Sequence, residues 1–406
     1  MRRARAALAA SVVLVLLTVV VASAADARSE KATVTTVTLS GWSAGKTEDD
    51  LLQSVVDDFN NTHPNIHVDY SVINGDYATA MTARFAAHNP PDVFYVDSSI
   101  APTWIKQGVV QPLNAFIKKS KYDTSKFYPG LLNAFKVGKT YYGFPKDWSP
   151  LAVEINKSMF AKAGIKKAPR TWGELLVDAQ KLASSNAVPG GKPLCLPADW
   201  ARMLAFVFQN KGSLANVQSP AVAAAVNYYV NFFKKGLAAT PTQLGVGWPG
   251  EALGKEKAAI IFEGNWVYSY MQHDFPAVRF RVDPMIRNKQ RGNLSFTVSY
   301  SMSKFSPNKA AGWKLLRFLT GRTGQAVWSK NSGFLPSRND VKAPAGRANF
   351  VKEAPAARPW QFIKGFDRVN DLAGKELEKA FNGDESVQQM LRNIDQATEE
   401  AIARSR

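Results

Sequence analysis

The chain has 406 residues, 46% of them hydrophobic and 21% charged, an ordinary globular composition with room for two domains and for three at most. Its net charge of +18 is spread without a run of five basic residues, so it reads as a surface property that favours anionic surfaces or ligands, and no nucleic acid partner is expected. The single cysteine, Cys195, excludes a disulfide within the chain; among the apolar neighbours of "KPLCLP" it reads as a small buried hydrophobe.

The first 27 residues, "MRRARAALAASVVLVLLTVVVASAADA", carry Arg2, Arg3 and Arg5, an apolar run over 8–22 and small residues suited to cleavage. This is the pattern of a secretory signal peptide, with an uncleaved membrane anchor as the competing assignment. Arg2-Arg3 alone does not define a twin-arginine signal. No cysteine sits at the cleavage region, so a lipid anchor is not expected there. The expectation is an exported protein, periplasmic or extracellular, whose mature part carries +15 once Arg2, Arg3 and Arg5 are removed.

Next, "TTVTLSGWSAG" (35–45) reads as a strand ending at Trp42-Ser43. Residues 47–64 place Leu51, Leu52, Val55, Val56 and Phe59 at helical spacing, with Thr47 as N-cap. A strand over 65–73, a helix over 76–88 and a strand over 90–99 complete a βαβαβ order, which predicts a parallel sheet covered by helices. Such sheets bind ligands at the carboxyl ends of their strands. Those ends carry Trp42 and Ser43, then Asn74 with Gly75 and Asp76, then Asp97, Ser98 and Ser99. Each polar group, taken singly, is also a normal cap or turn.

Further on, Pro145 and Pro150 read as a break before a strand over 151–155, and an interdomain crossing is placed there. Helices over 171–185, 200–210 and 220–235 predict a second domain, followed by strands over 254–266 and 295–303. A periodic helix pair over 308–338 and a helical segment over 365–404 complete the chain. The stretch "AAIIFEGNWVYSYM" (258–271) stands out: an apolar strand runs into Glu263, Gly264, Asn265 and Trp266.

The four histidines, His63, His67, His88 and His273, lack zinc-hydrolase spacing. There is no nucleophile elbow, phosphate loop or dinucleotide fingerprint, and no cofactor or metal is expected. Two of the acids Asp97, Asp147 and Glu263 could face one cleft as a carboxylate pair, which keeps a secreted glycoside hydrolase as an alternative. Trp42, Trp148, Trp200 and Trp266 all fall at predicted element ends. An indole face suits the C–H side of a sugar ring, and Asp or Asn side chains suit its hydroxyls. Trp313 and Trp328, on periodic helices, are assigned to the core.

Five stretches resemble one family in its own order: "LLQSVVDDFNNTHPNIHVDY", "FAAHNPPDVFYVDSS", "YYGFPKDWSPLAVEINKSMFAKAGI" continued by "PRTWGELLVDAQKL", "KEKAAIIFEGNWVYSY", and "SMSKFSPNKAAGWKLLRFLTGRTGQAVWSKNSGFLPSR". Together they resemble the extracellular solute-binding proteins of ATP-binding-cassette sugar importers, the group that includes maltose-binding protein. Two departures stand out: Ala259-Ile260 where the family usually has Met, and Asn265 where it commonly has Pro.

The resemblance implies an α/β, two-lobed periplasmic-binding-protein fold (type II), with a ligand cleft between lobes joined by a multi-segment hinge. Crossings are expected near 143–150, 293–301 and 337–345. Lobe 1 is then 33–143 plus 301–338, and lobe 2 is 144–300 plus 339–406. By similarity Trp266 is a sugar-stacking platform and Asn265 its neighbour. The full candidate ligand set is Trp42, Ser43, Asn74, Asp97, Ser98, Asp147, Trp148, Trp200, Asn265, Trp266 and Asp371. The implied partners are a mono- or oligosaccharide and the permease subunits of an importer, with the protein a monomer. Glycerol phosphodiesters or acidic sugars, favoured by the positive charge, are the alternative ligands.

Overall fold

The computed structural model describes residues 34–43, 46–359 and 366–405. The expected signal peptide lies outside the described residues. Among them, no helix is long and apolar enough to cross a membrane.

The βαβαβ expectation is met. Strand β1 (Thr35–Trp42), helix α1 (Lys46–Thr62), β2 (Ile66–Ile73), α2 (Tyr77–Ala86) and β3 (Val93–Asp97) follow in order. β1 pairs in parallel with both β2 and β3. Leu52, Val55, Val56 and Phe59 form the buried stripe of α1, as their spacing dictates. Helix α1 begins at Lys46, one residue before the expected N-cap position Thr47. Asp76 caps α2 by accepting the Thr79 N–H at 3.0 Å.

Two short strands, β4 (Lys136–Val137) and β5 (Thr140–Tyr141), form a hairpin ahead of β6 (Gly143–Pro150). β7 (Ala152–Asn156) follows after the single residue Leu151, and β8 (Lys192–Cys195), β9 (Ala238–Ala239), β10 (Ala258–Glu263) and β11 (Phe280–Asp283) come next. The strands end with β12 (Asn293–Met302), β13 (Leu335–Pro336) and β14 (Ala357–Pro359). They form two large sheets. The first has the order β13-β6-β12-β3-β1-β2, with β14 beside the start of β12; the second has the order β11-β7-β10-β8-β9.

The expected crossings at 143–150 and 293–301 therefore fall on strands of the first sheet. Pro145 falls within β6 because a bulge accommodates it, and Pro150 ends the strand. Val298 pairs with Asp147 and Ser299 with Pro145, so Lys146 is the extra residue. The change of sheet comes at Leu151, whose carbonyl accepts the Asn293 side-chain N–H at 2.7 Å. Beyond β13 the chain stays with the first sheet at Ser337, whose hydroxyl donates to the Pro145 carbonyl. It reaches the second sheet at Asn349, whose amide donates to the Val282 carbonyl at 2.8 Å.

Helices α3 (Trp172–Ser184), α4 (Trp200–Gln209) and α5 (Pro220–Lys234) enclose the second core with α9 (Phe366–Asn382) and α10 (Val387–Ser405). Phe233 and Phe381 stack across α5 and α9 with centroids 3.8 Å apart. α6 (Trp266–Asp274) follows β10 directly, and α7 (Lys309–Thr320) and α8 (Arg322–Ser332) return to the first core. Trp313 and Trp328 are buried there, as expected.

At Gly143 a Cβ would collide with the buried hydroxyls of Ser299 and Ser301 on β12. Gly143→Ala is expected to lower stability by about 1–3 kcal/mol in urea unfolding, the usual cost of overpacking. Gly173, exposed in the first turn of α3 with open space around it, is the control. Gly173→Ala should leave stability unchanged or raise it by up to about 1 kcal/mol.

Candidate functional site

Strand β10 is buried along its whole length between β7 and β8, and ends at Glu263. The Glu263 side chain is fully buried and takes a bidentate fork from Arg202, Nε to Oε1 at 3.0 Å and Nη2 to Oε2 at 2.9 Å. A buried carboxylate requires such a partner. Arg202 sits in the first turn of α4, capped by Asp199, which accepts the Ala201 N–H at 2.8 Å and also pairs with Arg202. Burial pulls the Arg202 guanidinium down, but the charges of Glu263 and Asp199 outweigh it and carry it above its ordinary value. Beneath this pair lies Glu154 of β7, fully buried, accepting the Glu263 N–H at 2.9 Å. Burial, then the charge of Glu263, pushes the Glu154 carboxyl well above the ordinary range.

The same Glu263 carboxylate fixes Trp266. The indole N–H donates to Oε2 at 3.0 Å, and the ring lies so close over Gly264 that any Cβ there would strike it. The half-buried ring meets Phe296 edge to face, with centroids 5.5 Å apart. Phe296 belongs to β12 of the first sheet, and the Arg202 guanidinium lies 5.8 Å from its ring centre. Trp266, Phe296 and Arg202 thus form a partly exposed aromatic and polar surface shared between the two sheets.

Residues 296–298 link this surface to the other strand ends. Val298 pairs with Asp97, and the Ser98 N–H donates to the Thr297 carbonyl at 3.1 Å. Asp97 accepts the Ser99 N–H at 2.8 Å and its hydroxyl at 2.6 Å; burial pushes its carboxyl up against these bonds. Trp42 pairs with Ile73 at the ends of β1 and β2, and its half-buried ring meets Tyr77 and Tyr95 edge to face. Ser43 is exposed and donates to Asp49 at 2.6 Å, and Asn74 is exposed just beyond β2.

Five other candidates take different positions. Trp148 is 2% exposed, donates to the Pro336 carbonyl at 3.1 Å and packs with Leu131, Leu335 and Phe350. Trp200 is wholly buried in the second core, its indole N–H without a partner. Both present packing and no open face. Asp147 is buried and accepts from Lys146 at 2.8 Å and from the Trp328 indole at 3.0 Å. Asp371 is exposed on α9, a helix packed against α4 and α5. Asn265 is buried as well, and pins the two sheets together: its N–H donates to the Ser149 hydroxyl at 2.7 Å, while its Oδ1 lacks a partner.

Sequence reasoning missed Arg202 and Phe296. Arg202 lies 61 positions before Glu263, and no local pattern couples them. Phe296 sits in the apolar alternation "SFTVSYSMS" and looks like any core strand residue. Lys146 was missed too. It is buried, bonded to Glu48 at 3.0 Å and to Asp147, and lies 4.0 Å from the Trp328 ring centre. Burial pulls it down, while Asp147 and Glu48 more than restore it, so it stays a cation.

Glu154 gives a pH test. An acid whose folded pKa is raised holds its proton in the folded state after the unfolded chain has lost it. It therefore costs stability as pH rises above the unfolded value of roughly 4. Glu154→Gln, which keeps the acceptor for the Glu263 N–H, is expected to raise the urea midpoint at neutral pH. The gain should vanish as pH falls through the unfolded carboxylate range; an equal gain at both ends would show that Glu154 is already ionised in the folded protein.

A protein of Brucella abortus described only as a binding protein is 25% identical over 352 residues, covering 80% of this chain and 83% of that one. A substrate-binding protein from Listeria monocytogenes, solved with cycloalternan, superposes with a TM-score of 0.82 at 22% identity, over 91% of this chain and 99% of that one. Another, from Mycobacterium tuberculosis and solved with glycerophosphocholine, gives a TM-score of 0.80 at 19% identity, over 90% and 98%. These likenesses establish the two-lobed α/β fold. The model of bacterial extracellular solute-binding proteins matches residues 43–326, from the end of β1 through both sheets and into α8. With that span matched, the chain belongs to the bacterial extracellular solute-binding protein family.

Proposed function

We propose that the chain captures an uncharged carbohydrate between its two lobes and delivers it, outside the cytoplasm, to the permease of an ATP-binding-cassette importer, without catalysis. The observation that carries this reading is the half-exposed Trp266 ring, locked by its bond to buried Glu263 and seated on Phe296. A rigid indole face beside polar groups is what a sugar ring needs, and rigidity lowers the entropy lost on binding. The cycloalternan in the Listeria protein is consistent with a saccharide on this scaffold.

The glycerol phosphodiester reading has a relative of its own in the mycobacterial protein. The cations near the surface disfavour it. Arg202 is committed to Glu263 and Asp199, and Lys146 to Glu48 and Asp147. Arg347, also buried, spends its donors on the Gly333 and Ala345 carbonyls and the Ser269 hydroxyl. A phosphodiester would have to break one of these pairs, whereas a neutral polyol would not. The carboxylates the hydrolase reading needs are engaged as well: Glu263 by Arg202, Asp147 by Lys146, Asp97 by Ser99.

For motion, we assign the first lobe to the first sheet with its helices and the second lobe to the second sheet with α3–α6, α9 and α10. The hinge then includes Leu151 and the segment 284–292, and closure on a ligand is the signal the permease reads.

Trp266→Ala is expected to weaken saccharide binding by about 2 kcal/mol, read by calorimetry against a panel of neutral oligosaccharides, glycerophosphocholine and uronates. Phe296→Ala should weaken it by less, acting through the seat of the ring. A panel in which only glycerophosphocholine binds would overturn the saccharide reading, and a ligand recovered cleaved would favour the hydrolase. In small-angle scattering, saturating sugar should shrink the radius of gyration; an unchanged radius would remove closure as the signal.

A further inference from the structure

On the second lobe, lined by none of the candidate site residues, lies a cavity of about 480 Å³. One wall is the loop 166–170 ahead of α3. The other is the segment from β11 into 284–291, leading to β12. The walls are laced together by backbone: the Arg287 N–H donates to the Arg170 carbonyl at 3.0 Å, and the Trp172 N–H to the Arg287 carbonyl at 3.2 Å. Ala168 and Met285 of its lining are buried in the second core, so the recess has a fixed floor.

Its charged lining is Lys167, Arg170, Arg281, Arg287 and Arg291, against the lone carboxylate Asp283. Arg281 takes up that carboxylate at 2.6 Å, and Arg291 bonds the Lys352 carbonyl and Glu353. Among the described residues, the side chains of Lys167, Arg170 and Arg287 have no hydrogen-bond or ion-pair partner. Neighbouring recesses add Lys166 and Lys181, with Glu174 and Asp178, and then Lys157. Like charges cost free energy when gathered, so a concave site that collects them without partners suits an anion.

We propose that this recess is a second ligand site, which binds a phosphate-bearing anion through Lys167, Arg170 and Arg287. Guanidinium forks match phosphate oxygens in pairs, and the cavity volume falls within the range of small-molecule sites. Its concavity favours a compact phosphate over a flat acidic protein face. The same chemistry is offered by a soluble phosphomonoester and by a lipid headgroup. The segment 284–291 joins the two sheets, so an anion here would also bind the lobe to its own crossing strand.

The test uses the full chain. Inorganic phosphate and glycerol 3-phosphate are titrated by calorimetry, and vesicles of phosphatidylglycerol are compared with phosphatidylcholine vesicles by co-sedimentation. Binding of a phosphate probe is expected, weakened at least about tenfold in Arg170→Ala/Arg287→Ala, since each lost bond to a charged group is worth that much. Lys167→Ala, on an exposed loop, serves as a second variant that disturbs no backbone contact. Binding only to phosphatidylglycerol vesicles would assign the site to a headgroup, and competition by soluble phosphate would assign it to a free anion; both support the site. No binding of any phosphate probe, binding indifferent to the variants, or equal binding of chloride would overturn it. Saccharide binding, followed in parallel, should be the same in Lys167→Ala, which lies outside the proposed hinge segment, and this keeps the result separate from the Trp266 reading.

Discussion

The buried fork between Glu263 and Arg202 is the interaction on which the candidate site depends. A carboxylate with no exposure at the end of a central strand is tolerable only with a counter-charge in register. That requirement pins the first turn of α4 against the end of β10 and commits the guanidinium that lies beside Phe296. The remaining acceptor capacity of the carboxylate then captures the Trp266 indole, so ring orientation follows from charge compensation and not from packing alone. Burial, with the charge of Glu263 beside it, pushes the Glu154 carboxyl beneath well above its ordinary range, the cost of placing two acids side by side with one cation.

The second constraint is the ladder between β6 and β12. It runs from Gly143 opposite Ser301 to Pro150 opposite Ser295, and ends one residue before the chain enters the second sheet. The Thr297 hydroxyl donates to the Asp147 carbonyl at 2.7 Å, and the Asn293 amide reaches Leu151, so both crossing strands are bonded to each other at the point of crossing. A single residue, Leu151, separates this ladder from the first strand of the second sheet. Phe296 is placed on this ladder, which lets the Trp266 ring, just beyond a second-sheet strand, rest on a first-sheet strand.

Much of the fold was legible because it rests on local periodicity. The alternation of β1, β2 and β3 and the stripe on α1 needed no distant partner to be recognised. β6 was obscured by Pro145, since the bulge at Lys146 that absorbs it depends on β12, some 150 residues away. The site was legible only in part. Trp266 announced itself through the polar residues around it. Trp148 and Trp200 gave a similar signal for a different reason: Asp199 is a helix cap, Asp147 is an internal acceptor, and the neighbouring indoles are core. An aromatic beside an acid at an element end has both meanings, and only burial separates them.

The position of β12 has a consequence for how the chain acquires its shape. This strand lies between β6 and β3, so the first sheet is two unconnected pieces until residues 293–302 arrive. A chain emerging N-terminus first would expose the free edges of β3 and β6 while the whole second sheet is made. Such long-range pairing is slow to form and leaves edges open to wrong partners. The strand order therefore ties completion of the first sheet to a strand that follows the whole second sheet in the chain.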